Sequence, residues 1–189
     1  MPFGQLETFV RAKRPATLPI VLTKKEVRDL LQQMKGVPWI VAVLMYGSGL
    51  RLLECLTLRV KDLDFDHMEI RLRRGKGAKD RVTMLPSALK EGLRQHLTYV
   101  SDLHKKDIAE GAGHVALPDA IERKYPNAAT EWGWQFVFPA TSRYFDRAAK
   151  NERRHHIHET VIQKAVRSAA RRAGIVKHAT CHVLRNVST

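Results

Sequence analysis

A single hairpin in an otherwise helical pattern constrains this chain most. Met68-Glu69-Ile70-Arg71-Leu72-Arg73 alternates apolar and charged residues, the period of two that lays one face of a strand on a core. Arg74-Gly75-Lys76-Gly77-Ala78-Lys79-Asp80 turns the chain, and Arg81-Val82-Thr83-Met84-Leu85-Pro86 returns as the second strand. On both sides of it, apolar residues recur at helical spacing instead. Thr23 and Glu26 form a capping box ahead of a helix with Val27, Leu30, Leu31 and Met34 on one face. After Gly36-Val37-Pro38, a nearly all-apolar helix covers residues 39–46 and stops at Gly47-Ser48-Gly49; a third runs over residues 50–59. Ser87 caps a helix over residues 88–104, and Pro118 opens a short one over 119–124. Between Asp107 and Asn151 the pattern is otherwise irregular, with an aromatic segment over residues 132–138 and a polar loop after it. Residues 158–173 form a basic amphipathic helix closed by Gly174, and a last helix begins near His182. One antiparallel hairpin among helices is not the alternating βαβ pattern; it predicts an α+β fold, mainly helical.

Charge narrows the partner. The 189 residues carry 33 Lys and Arg against 19 Asp and Glu, a formal net charge of +14. Such a surplus usually meets phosphate, in nucleic acid or at a membrane surface. No apolar run approaches the roughly 20 residues that cross a bilayer, and the first residues lack the apolar block of a signal peptide. Cys55 and Cys181, the two cysteines, show no paired or metal-ligand spacing, which fits a reducing, cytoplasmic setting. Half of the excess charge lies between Thr141 and Lys177, where ten Lys and Arg face three acids. A solvated helix face explains most charge runs, but this one is one-signed, so phosphate contact is favoured. Nucleic acid is the expected partner, with no membrane, metal or cofactor.

Three constellations can carry chemistry. Arg51 follows the Gly47-Ser48-Gly49 break in the first turn of a helix, with Glu54 three residues on and on the same face. An arginine held this way can aim its fork at a phosphate, although on these residues alone a surface ion pair is the simpler account. At the hairpin tip, glycines flank Lys76 and leave it unobstructed, as a finger into a groove or a proton donor; lysines that merely keep a hairpin soluble look the same. His182 and Arg185 stand at i, i+3, side by side on a helix and able to grip one phosphate; a lone His-x-x-Arg is mostly structural.

Taken in order, these stretches resemble the tyrosine recombinase (phage-integrase) family. The matching segments are Tyr46-Gly47-Ser48-Gly49-Leu50-Arg51-Leu52-Leu53-Glu54, Leu58-Arg59-Val60-Lys61-Asp62-Leu63-Asp64, Gly75-Lys76-Gly77-Ala78-Lys79-Asp80-Arg81 and His182-Val183-Leu184-Arg185. Residues 115–126 and Arg153-Arg154-His155-His156 resemble the insertion of integron integrases, which capture and excise gene cassettes. The resemblance implies a catalytic domain over residues 21–189, with an insertion at about 107–156, after a linker or remnant of an N-terminal DNA-binding domain over 1–20. It also implies roles. Arg51 and Arg185 clamp the scissile phosphate, Lys76 protonates the departing 5′-oxygen, His182 assists proton transfer, and Glu54 supports Arg51. Arginines supply the positive charge, so no metal is needed. Arg74, Lys79, Trp134, Arg153, Arg154, His155 and His156 are the expected DNA contacts. Trp134, His155 and His156 would stack on the extrahelical bases of a folded single-stranded site; Trp132, Phe136 and Phe138 are expected in the core.

The family's nucleophilic tyrosine lies well beyond the His-x-x-Arg motif, and none of Tyr46, Tyr99, Tyr125 and Tyr144 occupies that place. Asn186 stands where the family usually has histidine. The expectation is therefore a C-terminally incomplete catalytic domain: it binds duplex and folded single-stranded DNA without cleaving it, whereas full-length relatives assemble as homo-oligomers on DNA and cut through a 3′-phosphotyrosyl intermediate. The alternatives are a non-catalytic DNA-binding module derived from the same fold and a basic RNA-binding protein of unrelated fold.

Overall fold

A computed structural model describes residues 20–73 and 80–185. At its centre is α2 (Gly36–Ser48), which is apolar on every side and buries Ile40, Val41, Leu44 and Met45. Around it pack α1 (Lys24–Gln32), α3 (Leu52–Leu56), α6 (Glu159–Arg172) and α7 (Cys181–Arg185). The Thr23–Glu26 capping box closes α1 as expected, its hydroxyl accepting from the Glu26 N–H and the Glu26 carboxylate from the Thr23 N–H at 2.7 Å. α6 turns Ile162, Val166 and Ala169 onto α2 and α1, its N-terminus is capped by His158, and Gly174 follows it at φ +68°.

The hairpin forms β2 (Glu69–Leu72) and β3 (Arg81–Met84), antiparallel, with Ile70 opposite Thr83. Short β1 (Leu63–Asp64) pairs with β2, so the sheet has three strands. Several elements differ from the sequence expectation. α3 stops at Leu56, where the chain enters a 3-10 turn at Val60–Asp62. Ser87 lies inside a 3-10 turn (Ser87–Leu89) instead of capping a helix, and α4 (Lys90–Ala109) then runs five residues beyond His104. The polar loop contains a second hairpin, β4 (Tyr144–Asp146) with β5 (Asn151–Arg153).

Beyond α4 the chain builds a satellite that includes α5 (Asp119–Lys124). It has its own small core of Val115, Leu117, Ala128, Ala129 and Phe136, while Val137 and Phe138 reach into the main core. Arg59 straps the satellite to the body. Its guanidinium lies 3.5 Å from the centre of the Phe136 ring and donates to the Trp134 and Ala116 carbonyls, each at 2.8 Å.

Candidate phosphate-binding site

α2 ends at Gly49, whose φ of +64° is the left-handed conformation that favours glycine. That reversal buries Leu50 and presents Arg51 as the N-cap of α3 rather than in its first turn. Glu54 holds Arg51 twice: one carboxylate oxygen accepts from the Arg51 N–H at 2.7 Å, the other from its guanidinium at 3.0 Å. Arg81, the first residue of β3, also donates to Glu54, at 2.8 Å. Burial pushes the Glu54 carboxyl up, but the Arg51 N–H and the two guanidiniums outweigh it and hold the group below its ordinary range. Glu54 therefore ties the start of α3 to the strand that leaves the hairpin tip. Arg81 lay within a motif segment yet was not expected at the site; only the fold shows that it shares a carboxylate with Arg51.

Arg51 lines a cavity of about 420 Å³ together with Arg167, Cys181 and His182. α7 alternates as its sequence requires: Cys181, Val183 and Leu184 turn inward, and His182 and Arg185 share the exposed face. The structure thus brings Arg51 and His182 to one opening from opposite ends of the chain, and places Arg185 one helical turn beyond His182. Glu159 lines the same cavity, so two arginines and a histidine face one carboxylate there. Lys76, Arg74 and Lys79 lie outside the described residues.

The remaining expected contacts sit on the satellite and divide. Trp134 is half-buried against the satellite core, with the Lys61 ammonium over its ring. Lys61 and Trp134, with Pro118 and Arg73, border a cleft of about 220 Å³. His155 is exposed, and its ring lies 4.0 Å from that of His156 and 5.5 Å from Phe136. Burial lowers the His156 pKa, and its Nδ1 is 2.8 Å from the Ile157 carbonyl, a geometry in which that nitrogen carries the proton. Arg153 and Arg154 are a correction: both are buried and internally paired. Arg154 grips Asp107 with Nε and an Nη, both at 2.7 Å, and its other Nη donates to the Ala140 and Thr141 carbonyls. Arg153 pairs with Glu122 and Asp146. These donors are taken up within the fold. Trp132 is half-buried, while Phe136 and Phe138 are in the core. Among the described residues, no group of His, Cys, Asp and Glu assembles to hold a metal, and no helix is long and apolar enough to cross a membrane.

Residues 21–189 match the phage integrase family. An integrase/recombinase of Escherichia coli is 45% identical over 181 residues, which cover 96% of this chain and 54% of that protein. An integrase/recombinase of Pseudomonas aeruginosa gives the same figures. Tyrosine recombinase XerA of Thermococcus onnurineus is 42% identical over 88 residues, 45% of this chain and 31% of its own. Among solved structures, the crystal structure of XerA recombinase has the same fold, with a TM-score of 0.57 at 23% identity over 93% of this chain and 50% of that one. The chain spans about half the length of the integrase/recombinase relatives it matches. With a match running through both the Arg51 turn and α7, this chain belongs to the phage integrase family of tyrosine recombinases.

Proposed function

We propose that this domain supplies the phosphate-binding half of a DNA strand transferase that performs site-specific recombination. The observation that carries the proposal is the shared opening of Arg51 and His182, with Glu54 fixing the guanidinium from behind. Arg51 and Arg185 would hold the non-bridging oxygens of the scissile phosphate and offset charge as it develops there. His182 would hydrogen-bond the same phosphate and move a proton. Lys76 would protonate the departing 5′-oxygen. In the whole protein, a tyrosine would attack the phosphorus and leave a 3′-phosphotyrosyl bond, while the 5′-oxygen departs with a proton. Arg74 and Lys79 would contact the backbone beside the hairpin tip.

The test is duplex binding by fluorescence anisotropy across a salt series. Log affinity should fall linearly with log salt, by about 0.9 for each phosphate neutralised, and Arg51→Ala should flatten the line by about that amount. Binding that ignores salt, or an Arg51→Ala line parallel to the parent's, would refute the proposal.

A finer assignment, to the integron branch and its gene cassettes, draws on the satellite. Trp134, His155 and His156 would stack on bases extruded from a folded single-stranded site, each stack contributing roughly 1–3 kcal/mol. The supporting feature is the cleft that Trp134 shares with Lys61 and Arg73, with the Lys61 ammonium over the indole ring. Trp134→Ala should weaken binding to a hairpin with extrahelical bases at least fivefold more than binding to plain duplex, a ratio of about 1 kcal/mol. Equal losses on the two ligands would assign Trp134 to packing alone.

A further inference from the structure

Lys61 sits in the 3-10 turn Val60–Asp62, and Trp134 ends the facing turn, Trp132–Trp134; the two turns pack together. Between them the lysine stem passes Gly133, where a Cβ would stand 3.5 Å from that of Lys61, and its ammonium comes to lie over the indole ring. Among the described residues that ammonium makes no hydrogen bond or ion pair, so the ring is what it rests on. The nearby carboxylates are engaged elsewhere. Asp62 accepts from the Arg59 N–H at 2.9 Å and from the Arg73 guanidinium at 3.1 Å, and Glu54 is held by Arg51 and Arg81.

The same ring is the aromatic wall of the cleft that Lys61 borders. An indole face covered by an ammonium is not open to a base. A cation over an indole and a base stacked on it are of similar strength, so a base can take the ammonium's place, but it gains only the difference. A base held in a duplex must first leave its own stack, and that cost decides against it; an extrahelical base is already out. The surroundings of the lysine ease its release. Its charged neighbours are Arg59, Arg71 and Arg73 on the basic side and Glu54, Asp62 and Glu131 on the acidic side, and burial, then Arg73, hold its pKa down at about 8.

We propose that Lys61 is a specificity-determining residue: its ammonium covers the Trp134 ring, and an extruded base displaces it where a paired base does not. The inference rests on the stacking role proposed above for Trp134 and adds what holds that ring against paired DNA. Displacement carries a proton signature. Released into solvent, the ammonium returns to its ordinary value of 10.5, so between pH 8 and 10.5 the base-bound form holds more protons than the free form. Preference for an extrahelical base therefore falls as pH rises through that window.

The probes are two labelled DNA hairpins of equal stem, one fully paired and one with a single extrahelical adenine, and the readout is the ratio of their dissociation constants in fluorescence anisotropy. The parent chain, Lys61→Ala, Lys61→Arg and Trp134→Ala are compared at pH 7 and pH 9.5. Lys61→Ala should raise the preference for the extrahelical base about threefold at pH 7, the scale of an exposed cation over an indole, and leave the paired hairpin's affinity within about twofold. The parent's preference should fall by at least about fivefold from pH 7 to pH 9.5. Lys61→Arg, whose guanidinium stays charged and stacks on an indole, should match the parent at pH 7 and hold that value at pH 9.5. A Lys61→Ala preference equal to the parent's, with Trp134→Ala abolishing the preference, overturns the cover and leaves the stacking role of Trp134 standing. Weaker binding of both hairpins by Lys61→Ala, with a flatter salt slope, makes Lys61 a phosphate contact and also overturns the cover. Equal losses on the two hairpins in Trp134→Ala remove the stacking role itself, and the cover with it.

Discussion

Arg51 and Lys61 show how differently one chain treats two cations. Arg51 keeps half of its side chain in solvent and is aimed by Glu54, an arrangement that leaves guanidinium donors for a ligand. Lys61 is drawn over the Trp134 ring, and burial, then the neighbouring Arg73, pull its pKa down to about 8 despite Asp62. In the unfolded chain it keeps the ordinary value of 10.5, so between pH 8 and 10.5 the unfolded state holds more protons. The sign follows: Lys61 costs stability below its folded pKa, and that cost fades as pH rises through the window. Urea unfolding of the parent and of Lys61→Met, which keeps the aliphatic stem, should show the parent gaining on the variant from pH 7 to pH 9.5. An unchanged gap would mean that Lys61 remains solvated.

At the scale of elements, the satellite hangs on buried charge. Arg154 on the strand side and Asp107 at the end of α4 satisfy one another at 2.7 Å. Arg154→Met leaves the buried Asp107 carboxylate only its longer contact with Arg143, at 3.4 Å, and should cost about 3–5 kcal/mol in chemical denaturation, with no change in the salt dependence of DNA binding. A flattened salt slope in that variant would return Arg154 to the phosphate interface. The pair also shows what sequence cannot display. Arg153-Arg154-His155-His156 reads as a basic run because the partners are remote, Asp107 lying 47 residues away. The periodic elements are legible: the capping box of α1, the apolar face of α6 and the two strands of the hairpin all follow from spacing, whereas the register comes from the pairing itself. Strands of two or three residues, such as β1, β4 and β5, are too short to establish alternation and emerge only from pairing. The departure at Ser87 has a local cause, since the turn that opens at Pro86 tightens to 3-10 before the helix settles.

At the scale of the whole molecule, the net charge of +14 is sorted. Arg59, Arg153 and Arg154 are drawn inward as straps, while Arg51, His182, Arg185 and the α6 cations remain at the surface. The motif order put Arg51 and His182 forward from sequence, and both line one cavity. Their convergence depends on α2, against which both α3 and α7 pack. The central claim is that Arg51 and His182 act on one phosphate, and a double-mutant cycle on duplex affinity measures it directly. Arg51→Ala and His182→Ala should each weaken binding, and the double variant should lose less than their sum, with a coupling of at least about 0.5 kcal/mol. Strict additivity, the two losses summing within error, would contradict the account.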